Sequence, residues 1–198
     1  IEWSKLLKPS DLPRIVANCK DKNGPLSRAT PTAEEVELMA ATRRRLWEIA
    51  QVAYDNDVRL LVDAEQTYYQ PAIDNFVISL MKHFNHKSRS KTPIIFNTYQ
   101  AYLKDAGARV DIDVKRAERH DYHFAAKVVR GAYMYAERAR ATDLGYESPV
   151  HETIEDTHVG YNNIIKYLLN DRLTKDNKSE VMLGTHNRES IEKTIKIM

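Results

Sequence analysis

Short apolar runs alternate with longer amphipathic segments along most of this chain. Each run is rich in valine, isoleucine and leucine, as in strands covered on both faces, and each is followed by apolar positions at helical spacing. The predicted strands are Val58–Val62, Pro93–Phe96, Phe124–Val129 and Val181–Leu183. This alternation predicts a series of parallel βα units.

The same spacing predicts two long helices in the first half of the chain. Thr32 and Glu35 form a capping-box pattern, which opens a helix that ends near Asp55. Its apolar stripe consists of Val36, Met39, Leu46, Ile49, Ala50 and Ala53. A second helix is predicted from about Gln70 to Phe84, and its stripe (Ile73, Phe76, Val77, Leu80 and Met81) is expected to be core.

Further helices are predicted after the second, third and fourth strands. The predictions are a helix with a break near Gly107, one through Glu137–Arg140, one that ends at about Leu169 and one from Glu189. Residues 170–179 are expected to form a hydrophilic connection. Prolines and a glycine interrupt the first thirty residues, so we expect an irregular or helical N-terminal segment, 1–30, before a domain that covers 31–198.

Polar clusters follow the predicted strands. The first strand stops at residues 63–66 (Asp-Ala-Glu-Gln), the second at 97–100 (Asn-Thr-Tyr-Gln) and the last at 184–187 (Gly-Thr-His-Asn). Because parallel strands end at the same edge of a sheet, we expect these clusters to meet at one mouth.

The third strand carries the most informative cluster, residues 127–133. Lys127 and Arg130 precede Gly131, and Tyr133 follows. Two cations beside a glycine turn suit a delocalised anion or a phosphate, and the tyrosine ring adds a planar surface. An ordinary turn with solvated charges is the alternative interpretation.

Composition narrows the class of protein. The 198 residues are 42% hydrophobic and 29% charged, and 30 basic against 28 acidic residues leave a net charge of +2. This balance argues against nucleic acid as the default partner. Cys19 is the single cysteine of the sequence, which excludes an internal disulfide, and no apolar run approaches the ~18 residues of a spanning helix. We expect His83, His86, His120 and His123 to lie at helix ends or on the surface and not in a metal site.

The fold that these features favour is α/β, a (βα)8 TIM-like barrel. Four strands in 198 residues fall short of the about 250 residues of a complete barrel, so we expect an incomplete barrel with its central four βα units. A doubly wound sheet is disfavoured because its glycine fingerprint is missing.

Five strings together resemble eukaryotic proline dehydrogenase, also called proline oxidase. They are residues 61–67 (LVDAEQT), 95–100 (IFNTYQ), 127–133 (KVVRGAY), 137–140 (ERAR) and 185–187 (THN), in order. The resemblance implies an FAD enzyme of the mitochondrial inner membrane, facing the matrix, that oxidises L-proline to Δ1-pyrroline-5-carboxylate and passes electrons to a quinone. No targeting peptide is expected within this chain.

The resemblance also implies roles for individual residues. Lys127 would lie near flavin N5, Asp63 in the substrate pocket, and Tyr133 between flavin and substrate, so these three are the predicted catalytic residues; Glu65 would orient its neighbours. Asp63, Ala132 and Tyr133 are the predicted substrate-binding residues. The predicted cofactor-binding residues are Asn97, Lys127, Val129, Arg130, Gly131, Ala132, Thr153, Thr157, Gly184, Thr185, His186 and Asn187.

The sequence departs from the family in one respect. A Tyr-x-x-Arg-Arg pattern, which holds the substrate carboxylate in the family, does not occur, and Arg43–Arg45 belongs to an early helix that does not match it. We therefore expect an incomplete catalytic domain with poor activity alone. Three alternatives stay open: a hydroxyproline dehydrogenase of the same family, a metal-dependent barrel hydrolase that uses Asp63, Lys127 and His186, and a non-catalytic fragment.

Overall fold

The computed structural model describes residues 30–174 and 179–198. The predictions for residues 1–29, Cys19 among them, and for 175–178 lie outside these ranges. In chain order the elements are α1 (Ala33–Asp55), β1 (Leu60–Val62), α2 (Gln70–Phe84), β2 (Ile95–Gln100), α3 (Ala106–Arg119), β3 (Ala125–Val129), α4 (Met134–Leu144), α5 (Ile154–Thr174), β4 (Glu180–Gly184) and α6 (Arg188–Ile197). The chain divides into two compact units, Ile1–Ile49 and Ala50–Met198, and these strands lie in the second.

The strands form one parallel sheet in chain order, β1-β2-β3-β4. Leu61 pairs with Phe96, and Lys127 pairs with Thr98 on one side and with Met182 on the other. The predicted series of parallel βα units is confirmed. Since the strands run the same way, the residues that follow them lie along one carboxyl edge.

Helices cover one face of this sheet. α2 and α3 pack on β2, and α5 packs on β3 and β4. Tyr99 of β2 lies on this face, where its hydroxyl donates to Asp113 of α3 at 2.8 Å. Sequential strand order with right-handed crossovers places the helices that connect the strands on the same face, as in a barrel, whereas a doubly wound sheet needs a reversal of strand order. The topology matches one arc of a barrel, and the full (βα)8 barrel stays a prediction.

The opposite face of the sheet carries Thr98, Lys127 and Met182. Residues that pair in register point to the same side of a sheet, so these three side chains lie together. Thr98 is buried, whereas Met182 is 49% exposed.

β2 is longer than predicted. The strand continues past Phe96 through Gln100, and all of its residues are buried. Its polar side chains find partners: the Asn97 amide donates to Asp74 Oδ1 of α2 at 3.0 Å, and the Thr98 hydroxyl donates to a backbone carbonyl of β1 at 2.7 Å. Polar residues with buried partners continue a strand where hydropathy alone predicts its end.

Two helix predictions were wrong in detail. Gly107 does not break α3, because the helix begins at Ala106 and the glycine falls in the first turn, where the N–H groups have no helical partner in any case. α5 continues to Thr174, beyond the end expected near Leu169.

The apolar stripes of the first two helices are buried to different extents. Ala50 and Ala53 of α1 are buried, whereas Ile49 is 52% exposed. In α2 the buried members of the stripe are Val77, Leu80 and Met81, which confirms this part of the predicted core.

Asn85 joins the end of α2 to the beginnings of two strands. Its buried Oδ1 accepts from the N–H groups of Ile94 and Ile95, both at 2.9 Å. Its Nδ2 donates to the carbonyls of Ile95 at 2.8 Å and His123 at 3.2 Å. Because one side chain satisfies four buried backbone contacts, it fixes β2 and the segment before β3 relative to α2.

Candidate functional site

Two charged residues meet across the carboxyl edge of the sheet. Asp63 follows β1 and Lys127 lies in β3, with β2 between them; Lys127 Nζ donates to Asp63 Oδ1 at 2.6 Å. The Lys127 side chain is 24% exposed and that of Asp63 is 78% exposed. An ion pair this open to solvent contributes little stability. A carboxylate and an ammonium side by side at an open edge can, however, bind a small zwitterion.

The loop after β1 is tied to the start of α4. The Tyr133 hydroxyl donates to Glu65, and this hydrogen bond raises the pKa of Tyr133, with a smaller contribution from the nearby charge of Asp63. At neutral pH the phenol is protonated and can donate this hydrogen bond. One turn later, buried Glu137 accepts from the N–H of Thr67 at 2.6 Å and from its hydroxyl at 2.8 Å. These contacts hold the loop that carries Asp63 against α4 and against Tyr133, which immediately precedes this helix.

Arg130 lies at the centre of a cluster of neutral side chains. Its Nε donates to Thr185 Oγ1 at 2.9 Å, Nη1 lies 2.5 Å from His158 Nδ1, and Nη2 donates to the Ser190 hydroxyl. The guanidinium lies over the ring of Tyr161, 4.2 Å from the ring centre. Burial lowers the pKa of Arg130. Since an arginine stays charged in proteins, the cluster holds one positive charge.

A cleft of about 270 Å³ opens beside Arg130, between the turn after β3 and the first turns of α4 and α5. It is lined by Arg130, Gly131, Met134, Arg138, Glu152, Thr153, Ile154, Thr157 and His158. Four of these are predicted cofactor-binding residues: Arg130, Gly131, Thr153 and Thr157. Two guanidinium groups next to the amino end of a helix suit an anion such as a phosphate.

The first turn of α5 is fixed by a capping box. Thr153 Oγ1 accepts from the N–H of Asp156 at 3.1 Å and donates to Asp156 Oδ2 at 2.7 Å. These hydrogen bonds from the Thr153 side chain and backbone lower the pKa of Asp156. Arg138 of α4 donates to the carbonyl of His151 at 2.8 Å, which joins the two helices at the cleft.

The segment after β4 is organised by the start of α6. Thr185 Oγ1 accepts from Arg130 and from the N–H of Asn187, the latter at 3.0 Å. Asn187 caps α6, since its Oδ1 accepts from the N–H of Ser190 at 2.9 Å. His186, between them, is exposed. Thr185 and Asn187 therefore shape this segment, and His186 is accessible to a ligand.

β3 and β4 approach closely at the carboxyl edge. Val129 pairs with Gly184, and a methyl group at position 184 would lie 2.8 Å from Val129 Cγ1 and 3.1 Å from the carbonyl oxygen of Val128. Position 184 therefore has room for glycine only, because β3 lies too close for a larger side chain. Gly131 and Ala132 are exposed in the following turn, so a ligand can approach their backbone.

The structure does not bring Asn97 to this site. Its side chain is buried on the face covered by helices, where it donates to Asp74. Gln100 lies instead on the face that carries Lys127, because it pairs in register with Val129. Its buried Oε1 has no hydrogen-bond partner among the described residues. An unpaired buried amide oxygen is costly, and a donor on a ligand would satisfy it.

The histidines singled out by their spacing lie away from the site. His86 Nδ1 is 2.8 Å from Ser88 Oγ, and burial lowers the pKa of His83. For His123 the predicted position was wrong, because this residue is buried just before β3, where its Nε2 lies 3.1 Å from the carbonyl oxygen of Ser90. Within residues 30–174 and 179–198, no three histidine, cysteine, aspartate or glutamate side chains are grouped to hold a metal ion. None of the described helices is both long enough and apolar enough to span a bilayer.

A model of the proline dehydrogenase family matches residues 7–198. The chain belongs to the proline dehydrogenase family. The predicted resemblance is therefore confirmed. Among its relatives, the mitochondrial proline dehydrogenase 1 of Homo sapiens is 38% identical over 100% of this chain and 33% of its own length. The enzyme of the same name from Caenorhabditis elegans is 42% identical over 88% of this chain and 28% of its own length. The chain thus spans about a third of the length of these relatives.

Solved structures of proline utilization A share this fold. The protein from Bdellovibrio bacteriovorus, inactivated by N-propargylglycine, matches with a TM-score of 0.71 at 20% identity, over 81% of this chain and 16% of its own. A mutant from Bradyrhizobium japonicum matches with a TM-score of 0.69 at 22% identity, over 96% of this chain and 20% of its own. The fold of this family chain is α/β with a parallel sheet, like part of those proteins.

Sequence reasoning missed several residues of the site. Gln100 could have been found from strand alternation, because it lies two positions after Thr98 on the same face. Glu137 and Arg138 were noticed only as part of a string that resembles the family. His158, Tyr161 and Ser190 carry no signal of their own, since they meet Arg130 from 28 to 60 positions away along the chain.

Proposed function

We propose that this chain belongs to an FAD-dependent enzyme that oxidises L-proline to Δ1-pyrroline-5-carboxylate. The observation that carries the proposal is the Asp63–Lys127 pair at the same sheet edge as the Arg130 cleft. The pair suits an amino acid, and the cleft suits a dinucleotide phosphate. The names of the family relatives support proline as the substrate.

The residues present fit FAD. Arg130 and Arg138 would hold its pyrophosphate at the amino end of α5, and the turn at Gly131 and Ala132 leaves room for close backbone contact. Gln100 Oε1, buried and without a partner among the described residues, would accept from an N–H of the flavin ring. The further cofactor contacts that we propose are with Val129, Thr153, Thr157, Gly184, Thr185, His186 and Asn187.

Bound FAD would supply the acceptor for the hydride that leaves the proline ring carbon next to nitrogen, while the amine proton passes to water. The Lys127 ammonium would lie near flavin N5, where its positive charge stabilises the electron density that arrives with the hydride. Asp63 would accept a hydrogen bond from the substrate nitrogen. Tyr133, whose hydroxyl donates to Glu65, would form the wall of the substrate pocket with Ala132.

The setting of the enzyme is part of the same proposal. The relatives named above are mitochondrial, which supports a mitochondrial location for this protein. We propose a matrix-side, peripheral position at the inner membrane, a quinone as the final electron acceptor, and a (βα)8 barrel around the flavin.

Hydroxyproline is the second candidate substrate. The hydroxyproline dehydrogenase of Homo sapiens is 34% identical over 94% of this chain and 40% of its own length. Asp63 and Lys127 would bind either zwitterion, so a direct comparison of the two substrates decides between them.

The test is an absorption spectrum of the purified protein after incubation with FAD, followed by stopped-flow reduction with L-proline. We expect flavin bands, and we expect Lys127→Met to slow reduction about 10²-fold, the usual cost of a lost charge-stabilising donor. Lys115→Met is the control, because Lys115 pairs with Asp111 within α3 at 2.7 Å and does not line the cleft. No flavin bands, or equal rates for the two variants, would contradict the proposal.

A further inference from the structure

The contact between Arg130 and His158 fixes the protonation state of the histidine. Arg130 Nη1 lies 2.5 Å from His158 Nδ1. Because a guanidinium has only donors, Nδ1 must accept, so the ring is neutral and carries its proton on Nε2. A protonated His158 would place two cations at hydrogen-bond distance.

The remaining direct partners of Arg130 are also neutral. Thr185 and Ser190 accept from it, Ser190 in turn donates to Asn162 at 2.7 Å, and Tyr161 lies under the guanidinium. Within the described residues no carboxylate forms an ion pair with Arg130. The groups that contact the guanidinium directly are therefore neutral, and the charge of Glu189 acts on Arg130 without forming an ion pair with it. A guanidinium without an ion-pair partner among the described residues suits an anionic ligand.

We propose that His158 is a positioning residue, which holds Arg130 for the pyrophosphate of FAD only while its own ring is neutral. This inference rests on the proposed function. Protonation of His158 would remove the acceptor for Nη1 and repel the guanidinium, so that Arg130 leaves the geometry in which it binds the anion.

The charges around His158 do not replace this contact. The titratable and charged groups around His158 are Arg130, which contacts it, Glu189 on α6, which interacts with its charge, and Arg138 and Glu152, which line the same cleft. Glu155 and Tyr161 lie three positions before and after it on α5. Glu189 already pairs with Lys193 at 2.6 Å. Protonation of His158 is therefore expected to act mainly on Arg130.

The proposal predicts a loss of cofactor affinity on acidification. We expect the apparent affinity for FAD to fall about tenfold when the pH is lowered from ~8 to ~5.5, because a smaller share of the protein then has Arg130 in the binding geometry. The pyrophosphate of FAD keeps its charge between these two pH values, so a change in affinity reflects a change in the protein.

Two variants separate the role of His158 as a hydrogen-bond acceptor from the effect of its protonation. His158→Asn keeps an acceptor oxygen near the position of Nδ1 but cannot be protonated, so we expect FAD affinity near that of the wild type at high pH and no tenfold loss at low pH. His158→Ala removes the acceptor, so we expect about tenfold weaker binding at both pH values. His86→Asn, in a loop contact with Ser88, is the matched control and should lose affinity on acidification as the wild type does.

Binding of FAD is measured by fluorescence titration, and the state of His158 is measured separately by ¹⁵N NMR without FAD. The proposal requires the Nε2–H tautomer at pH ~8. The opposite tautomer, equal pH dependence in wild type and His158→Asn, or wild-type affinity that rises on acidification would each overturn it. Failure of all variants to bind FAD would overturn the proposed function instead, and the tautomer would still decide whether His158 accepts from Arg130.

Discussion

Replacement of Asp63 by asparagine separates a catalytic role of this residue from a structural one. The Asp63→Asn substitution would keep the size of the side chain but remove the charge that faces Lys127 at 2.6 Å. Glu147→Gln is the matched control. Glu147 pairs with Lys104 at 2.8 Å, its side chain is 85% exposed against 78% for Asp63, and it lies outside the cleft beside Arg130.

The structure sets the expected magnitudes. Both pairs join an exposed carboxylate to a partly exposed lysine, so each substitution should change the free energy of unfolding by less than about 1 kcal/mol. Only Asp63 would also bind the substrate nitrogen. Loss of one hydrogen bond to a charged group costs about 1.5–3 kcal/mol, which is roughly 10- to 100-fold in kcat/KM.

The assay pairs urea unfolding with steady-state oxidation of L-proline, using an artificial electron acceptor. We expect near-equal stability for the two variants and a loss of kcat/KM in Asp63→Asn alone. Equal kcat/KM in both variants would refute the assignment of Asp63 to the substrate pocket. A stability loss of several kcal/mol in Asp63→Asn would show that the pair is structural.

Three further predictions concern stability and cofactor binding. Asn85→Ala should destabilise the fold by about 3–5 kcal/mol in urea unfolding, because it leaves buried backbone donors and acceptors unpaired. Arg130→Ala should lower flavin occupancy after purification, and excess FAD should restore it by mass action; full occupancy with no turnover would assign Arg130 to the reaction instead. Gly184→Ala should cost about 1–3 kcal/mol, since its methyl group would overlap Val129, and an unchanged melting temperature would show that the strands can move apart.

Hydrophobic periodicity predicted the βα order of the described chain well. It predicted the bounds of α2 and the parallel sheet, because short Val- and Ile-rich runs between amphipathic helices are typical of parallel strands that are buried on both faces. Convergence of Asp63 and Lys127 was also predictable, since parallel strands end at one edge.

The errors come from polar residues whose partners are distant in sequence. Hydropathy predicts that β2 ends at Phe96, because polar residues follow. In the structure Asn97 donates to Asp74 and Tyr99 donates to Asp113 under the helices, so the strand continues. Hydropathy treats such residues as exposed. Hydropathy also did not predict the cluster around Arg130. The geometry of this cluster depends on contacts between the end of β3, α5 and α6, which leave no local pattern in the sequence.

The central claim is that the edge formed by Asp63, Lys127 and the Arg130 cleft oxidises L-proline with FAD. It is tested most directly by adding L-proline, under anaerobic conditions, to the FAD-loaded protein and following the visible flavin bands. The account predicts that L-proline bleaches these bands and that Lys127→Met slows the bleaching. Flavin bands that persist with both L-proline and hydroxyproline would contradict it.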